Sequence, residues 1–221
     1  MSSNRVTLYT APTPNGQTAS IFLEELKVPY ETIKLSLSDA DAGKVHNHVK
    51  APWYLENINP NGKIPAIVDH EKEDFKVFET SAILLYLAAE FDKHNEFGFD
   101  PKTNPKEYSE VLQWLFFSHG GIGPMFGQFG HFAMASEKIP YAINRYLNET
   151  KRLLSVLDTR LAKRHYLAGD KYTIADIKSH TWVRLVSRFQ IDLEKDYPNV
   201  KTWTDRIDAR EAVQKGLKVP A

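Results

Sequence analysis

Hydrophobic positions mix two periods over the first ninety or so residues, near 2 and near 3.6, and keep the helical period almost alone thereafter. Val6 and Leu8 alternate with polar neighbours in RVTLYT, which predicts a short strand with one apolar face. The loop APTPNG (11–16) breaks that strand with its prolines, Asn15 and Gly16. Ala19, Phe22, Leu23 and Leu26 then mark one face of a helix at i, i+3, i+4 and i+7. VPYETIKLSL returns to strand character, so this stretch reads as strand, helix, strand, with two parallel neighbouring strands and a right-handed crossover. After a polar, histidine-containing segment, INPNGKIPAIVDH and FKVFE flank the charged turn EKED as a hairpin. Pro65 stands at the entrance of its first strand and marks an edge, a bulge or a cis turn. ETSAILLYLAAEF is helical, and Glu79, Thr80 and Ser81 suit its N-terminus.

Residues 92–104 carry the turn residues and the proline, Pro101, of a linker. Beyond them Tyr108, Val111, Leu112 and Leu115 open a helical region, and HGGIGPMFGQFGHF is expected as an interrupted helix or a loop. Ile143, Tyr146, Leu147, Thr150, Leu154, Leu157 and Leu161 keep a helical stripe. Thr173 and Asp176, three apart, form a capping-box pattern before Ile177, Trp182, Leu185 and Phe189, and short helices around Trp203 and Ile207 finish the chain. The expected organisation is an α+β domain (βαβ-ββα) over 1–91, a linker over 92–104 and an all-α domain over 105–221.

Composition narrows the chemistry. The 221 residues hold 28 basic and 28 acidic side chains, so no net charge draws the chain to nucleic acid or an anionic membrane. The values of 42% hydrophobic and 25% charged are those of a globular protein. The N-terminal residues run straight into a strand pattern, without a signal- or transit-peptide look, and no apolar run is long enough to span a bilayer, so a cytoplasmic protein is expected. There is no cysteine, which excludes disulfides, Cys-based zinc sites, a Cys-x-x-Cys redox pair and a Cys nucleophile. Any redox sulfur has to arrive on a ligand. Eight histidines suggest no metal site, since none falls in H-E-x-x-H and His46 and His48 lack a third ligand of obvious spacing. The Gly-rich run 120–130 lacks a P-loop ending, and no G-x-S-x-G elbow is present.

Three segments remain. The loop after the first strand, Thr13-Pro14-Asn15-Gly16, leads into a helix N-terminus that favours an anion. Pro65, if cis, would present the backbone of Ile64 to an extended ligand. Glu79 and Thr80 could grip a zwitterionic amino-acid end, the carboxylate on hydroxyl and N–H groups and the ammonium on Glu79. On spacing alone, a turn, a hairpin entry and an N-cap explain the same residues equally well.

The segments NPNGKIPAI (59–67), ETSAILLYL (79–87) and Thr173-Ile-Ala-Asp176 together resemble the glutathione transferase superfamily along essentially the whole chain. More narrowly, APTPNG, LQWLFF, GGIGPMFGQ and IPYAINRY are similar to the bacterial nu class and its fungal relatives near the nitrogen-regulator branch. The resemblance implies a thioredoxin-like first domain, a homodimer and glutathione-dependent reduction of disulfides, with peroxide reduction and modest conjugation of small electrophiles beside it. It implies that Ile64 before a cis Pro65 pairs with the cysteinyl part of glutathione and that Glu79 and Thr80 hold its γ-glutamyl end. Thr80 stands where the superfamily usually has Ser. Lys63 and His48 become candidates for the glycyl carboxylate, with Val49 or Lys50 as substitutes for His48, because the segment from His48 to Asn59 is one residue longer than the nu pattern. Arg145 matches a residue that reaches toward a second glutathione, and an ordinary surface arginine fits it as well. Asn15 and Thr13 are implied as donors to the glutathione thiolate, with Tyr9 as rival. The alternative function is a glutathione-binding regulatory or carrier module without turnover, against which the chain shows no long Asn/Gln-rich extension.

Overall fold

The computed structural model describes residues 4–189 and 191–220 and groups the chain into two units, Met1–His94 with Arg210–Ala221, and Asn95–Ala209. The first holds β1 (Val6–Thr10), α1 (Pro14–Glu25), β2 (Tyr30–Lys34), α2 (Pro52–Asn57), β3 (Ala66–Asp69), β4 (Phe75–Phe78) and α3 (Thr80–Phe91). The second holds α4 (Pro105–Phe117), α5 (Gly123–Met134), α6 (Pro140–Leu161), α7 (Ile174–Val183), α8 (Leu193–Asp196) and α9 (Pro198–Asp208), and α10 (Glu211–Gly216) rejoins the first.

The sheet runs in the order β2-β1-β3-β4. β1 pairs parallel with β2, as a strand–helix–strand unit requires, and antiparallel with β3, which pairs antiparallel with β4. Val6 and Leu8 are fully buried, and Thr7 and Thr10 are nearly so, because β1 lies inside the sheet. Tyr9, Ala66 and Phe78 sit side by side in register. The chain leaving β1, entering β3 and leaving β4 therefore lies at one end of the sheet. Register is pinned at the opposite end, where Arg5 grips Asp69 with Nε and Nη2 at 3.0 and 2.8 Å and Tyr86 donates to the same carboxylate at 2.8 Å. Burial works against the Asp69 charge, but these bonds outweigh it and hold the carboxyl below its usual range.

Pro65 precedes an interior strand, and the Ile64–Pro65 peptide is cis, so of the three readings of that proline the cis turn holds. Asn15 and Gly16 belong to the first turn of α1 rather than to a loop before it. Thr13 caps this helix, accepting from the Gly16 N–H at 3.2 Å, and Pro14 fills the position where a missing N–H costs nothing. A Cβ on Gly16 would lie 2.2 Å from the Ala11 carbonyl oxygen, so only glycine permits this close start.

Two segments take their shape from packing. Of the two readings of HGGIGPMFGQFGHF the interrupted helix holds, with a π-helical turn at Ser118–Ile122 joining α4 to α5, and its glycines let the chain pass close to Leu153 and Trp182. The expected division at 105–221 breaks before α10, which packs on α1. Ser20 Oγ donates to the Gly216 carbonyl at 2.7 Å, and Arg210 pairs bidentately with Glu25 at 2.6 and 2.8 Å. Nothing in the local pattern of a six-residue helix reveals a partner so distant in sequence.

The second unit has its capping box. Thr173 accepts from Ala175 N–H, and Asp176 accepts from the Thr173 N–H at 3.0 Å, from Leu167 N–H and Trp203 Nε1 at 2.9 Å each, and from the Thr173 hydroxyl. Complete burial pushes the Asp176 carboxyl up to about 6 against the pull of these donors. The folded state therefore holds this proton more tightly than the unfolded chain, whose value is 3.8. The stability it contributes is present below that value and lost as pH rises to about 6, on the order of 2–3 kcal/mol in all. Urea unfolding of the protein and its Asp176→Asn variant at several pH values checks this, because the difference in stability should shift against the wild type between about pH 4 and 6.

Candidate functional site

Three segments meet the end of the sheet marked by Tyr9, Ala66 and Phe78. At the first, Thr13 and half-buried Asn15 stand at the positive end of α1. The Thr13 oxygen is fixed by the Gly16 N–H it accepts, and its own hydroxyl proton remains a donor.

The second segment is the cis-proline turn. The Lys63 carbonyl accepts from the Tyr54 hydroxyl at 2.7 Å and from Asn59 Nδ2 at 2.8 Å, while Asn59 Oδ1 accepts from Asn61 N–H at 3.0 Å. Asn59 is 2% exposed, so this clamp is internal. It leaves the Lys63 side chain exposed. Ile64 precedes the first ladder residue, Ala66, so its backbone lies outside the strand pairing. Gly62 has φ +61°, and a Cβ there would lie 2.7 Å from Lys50 Nζ and 2.9 Å from the Val49 carbonyl. Lys50 is exposed and donates to the Asn61 carbonyl at 3.4 Å.

At the third, Glu79 precedes α3 at φ 73°, a backbone region that costs a non-glycine residue about 1–3 kcal/mol. Its side chain is exposed and makes no capping bond to α3. Thr80, the first helical residue, is 5% exposed. A carboxylate at this terminus would meet the helix N–H groups, with a second carboxylate, that of Glu79, beside it for a cation.

Two of the sequence candidates are not part of these three segments. The His48 imidazole is 1% exposed, with Nδ1 accepting from the Lys50 N–H at 3.0 Å and Nε2 against the Ser38 carbonyl at 3.1 Å. Its nitrogens are occupied inside the protein, so His48 is not placed to touch a ligand, and of the two substitutes Val49 is buried while Lys50 is exposed. Arg145 belongs to α6 in the second unit, exposed in a groove of about 670 Å3 with Tyr141, Asn144, Glu149 and Arg152. Arg152 binds Glu149 bidentately and, with Arg145 nearby, holds that carboxyl below its usual range.

Tyr9 faces away from Val6 and Leu8 by strand alternation. Its ring packs against Trp53 and Tyr54 of α2, centroids 6.1 and 5.8 Å apart, beside Leu35 and Val49. Burial, with the charges of Glu31 and Asp74, pushes its phenol up. Among the described residues no cluster of three or more His, Cys, Asp or Glu is arranged to hold a metal, and no helix is long and apolar enough to cross a membrane.

Residues 4–89 match the model of the glutathione S-transferase N-terminal domain, and residues 118–211 match that of the C-terminal domain. The chain is 43% identical over 217 residues to disulfide-bond oxidoreductase YfcG of Escherichia coli, a match covering 96% of this chain and 94% of that protein. The chain belongs to the glutathione S-transferase superfamily. Within it, the solved structure of a glutathione transferase homolog from Lodderomyces elongisporus, with two GSH per subunit, superposes at a TM-score of 0.89 with 40% identity, over 98% of this chain and 99% of that one. Glutathione transferase URE2P6 from Phanerochaete chrysosporium, in complex with oxidized glutathione, superposes at 0.87 with 39% identity, over 97% and 95%. These relatives set the chain in the branch of the superfamily that holds the oxidoreductase and the Ure2p-like proteins.

Sequence reasoning missed α2 and with it the Tyr54 and Asn59 clamp, although Pro52 ahead of Trp53, Tyr54 and Leu55 is a helix-start signal. Asn59→Ala removes one of two donors to the Lys63 carbonyl and the acceptor for Asn61. It should lower unfolding stability by about 1–3 kcal/mol, measured by urea denaturation.

Proposed function

We propose that this member of the superfamily is a glutathione-dependent disulfide oxidoreductase. The reading rests most on Glu79, held at φ 73° beside the N-terminus of α3. A strained backbone of this kind persists where something besides stability keeps it, and here it sets an exposed carboxylate next to a helix terminus. That pair suits the ammonium and carboxylate of a γ-glutamyl group. Ile64, outside the ladder, supplies backbone groups for the cysteinyl part, while Lys63, with Lys50 in the place first given to His48, supplies cations for the glycyl carboxylate. The relatives add support, since one is a disulfide-bond oxidoreductase and solved members hold GSH or oxidized glutathione.

A free thiol has a pKa of about 8.5 and is mostly protonated at neutral pH. The Asn15 amide, the Thr13 hydroxyl and the positive end of α1 would stabilise the thiolate, and one unit of depression asks about 1.4 kcal/mol, the scale of one hydrogen bond to a charged group. The thiolate attacks one sulfur of a disulfide, the S–S bond breaks and a thiolate leaves. A second glutathione then attacks the mixed disulfide, releasing the other thiolate and forming oxidised glutathione. Arg145 is read as a contact for that second glutathione, in keeping with the two GSH per subunit of the Lodderomyces homolog. Peroxide reduction and modest conjugation of electrophiles draw on the same thiolate. A homodimer, as the superfamily resemblance implies, belongs to this reading.

Asn15 is preferred to Tyr9 because Tyr9 is committed to the aromatic packing on α2 and burial weakens its phenol as a proton donor. Asn15→Ala should lower turnover of glutathione with a small model disulfide roughly 10- to 100-fold, and Tyr9→Phe far less. The reverse order would contradict the assignment. Tight glutathione binding without turnover would instead mark a regulatory or carrier module. Glu79→Gly separates function from stability, since it relieves the backbone and should leave the fold as stable or up to about 1 kcal/mol more so. It should also raise the glutathione KM on the order of tenfold, and a thermal melt beside steady-state kinetics reads both.

A further inference from the structure

The link between His48 and Lys50 has only one arrangement of protons. The Lys50 N–H can only donate, and it meets His48 Nδ1 at 3.0 Å. The Ser38 carbonyl can only accept, and it meets Nε2 at 3.1 Å. Nδ1 therefore carries the lone pair, Nε2 carries the hydrogen, and the ring is a neutral imidazole in a fixed tautomer. It braces a segment that pairs with itself: the Ser36 N–H donates to the Asn47 carbonyl at 2.8 Å and the Val49 N–H to the Ser36 carbonyl at 3.2 Å. The Ala51 N–H then donates to the His48 carbonyl at 2.9 Å, at the entry to α2. Between these fixed points Lys50 emerges with its ammonium over Asn61 and Gly62 of the cis-proline turn.

We propose that His48 is a positioning residue, whose Nδ1 lone pair fixes the backbone course of Lys50 and so aims the Lys50 ammonium across the cis-proline turn at an anionic end of glutathione. The proposal rests on the glutathione reading above. It gives His48 a role exerted through Lys50 instead of a contact with ligand, and it makes the otherwise mobile lysine side chain start from a determined place.

Two near-isosteric variants separate the halves of the imidazole. Asparagine can put its Oδ1 near Nδ1 and still accept from Lys50. Glutamine can reach the Ser38 carbonyl with its amide but leaves the Lys50 N–H unanswered. His48→Gln should raise the glutathione KM roughly 5- to 10-fold with kcat changed by less than about twofold, and His48→Asn should raise KM distinctly less. In a Lys50→Ala background, His48→Gln should add less than about twofold, because the residue it acts through is gone. Asparagine as damaging as glutamine, a full glutamine effect without Lys50, or a loss confined to kcat would each overturn the assignment. A nitrogen-15 spectrum of the unaltered protein needs no variant. Unprotonated Nδ1 with protonated Nε2 is expected for His48, and the opposite tautomer overturns the proposal. Calorimetry of glutathione with the unaltered protein is run alongside. Failure to bind there overturns the glutathione reading itself, whereas binding with the wrong order of variants overturns only the role of His48.

Discussion

The register of β1 against β3 and of β3 against β4 is the constraint on which the candidate site depends. Because Tyr9, Ala66 and Phe78 are neighbours across the sheet, the start of α1, the cis-proline turn and the start of α3 are delivered to one end of it. A slip of one residue in β3 would exchange its two faces and displace Ala66 from Tyr9. Arg5 on Asp69 resists that slip from the far end, and the Tyr54 and Asn59 clamp on Lys63 fixes the chain just before the strand begins. Most of the residues that do this work are thus not the residues offered to a ligand.

The site that results contains no thiol of its own, since the chain has no cysteine. A thioredoxin-like framework without thiols can take part in disulfide exchange only by binding a thiol and ionising it. That requirement gives meaning to the local chemistry: a helix terminus with two small polar side chains at one segment, backbone groups at the second, and a carboxylate beside a helix terminus at the third. On the proposed reading, fixed charges and dipoles would select the two ends of a zwitterionic tripeptide and leave its thiol near α1.

Where chemistry depends on neighbours in sequence, it was legible. The strand–helix–strand unit, the hairpin, the helix after Glu79 and the Thr173–Asp176 capping box all follow from periodicity and local hydrogen-bonding capacity. Where it depends on burial or distant partners, it was not. His48 looks like a polar residue in a polar segment, and only the fold turns its ring inward against Ser38 and Lys50. The α10 helix carries no mark of its place on α1, because Gly216 and Ile21 approach each other through backbone contact. The glycines at 120–130 leave interrupted helix and loop undecided until Leu153, Trp182 and Phe189 are seen to fill the space they leave. The left-handed backbone of Glu79 has no sequence signature at all, since any L-residue is disfavoured there.

The central claim is that the protein binds glutathione and ionises it with groups at the start of α1. Titrating the ultraviolet absorbance of the bound thiolate against pH measures this directly. The account predicts that the thiol of bound glutathione ionises at least about one unit below the free value of about 8.5, and that much of this depression is lost in Asn15→Ala. A bound thiol that ionises at its free value, in the unaltered protein, would contradict it.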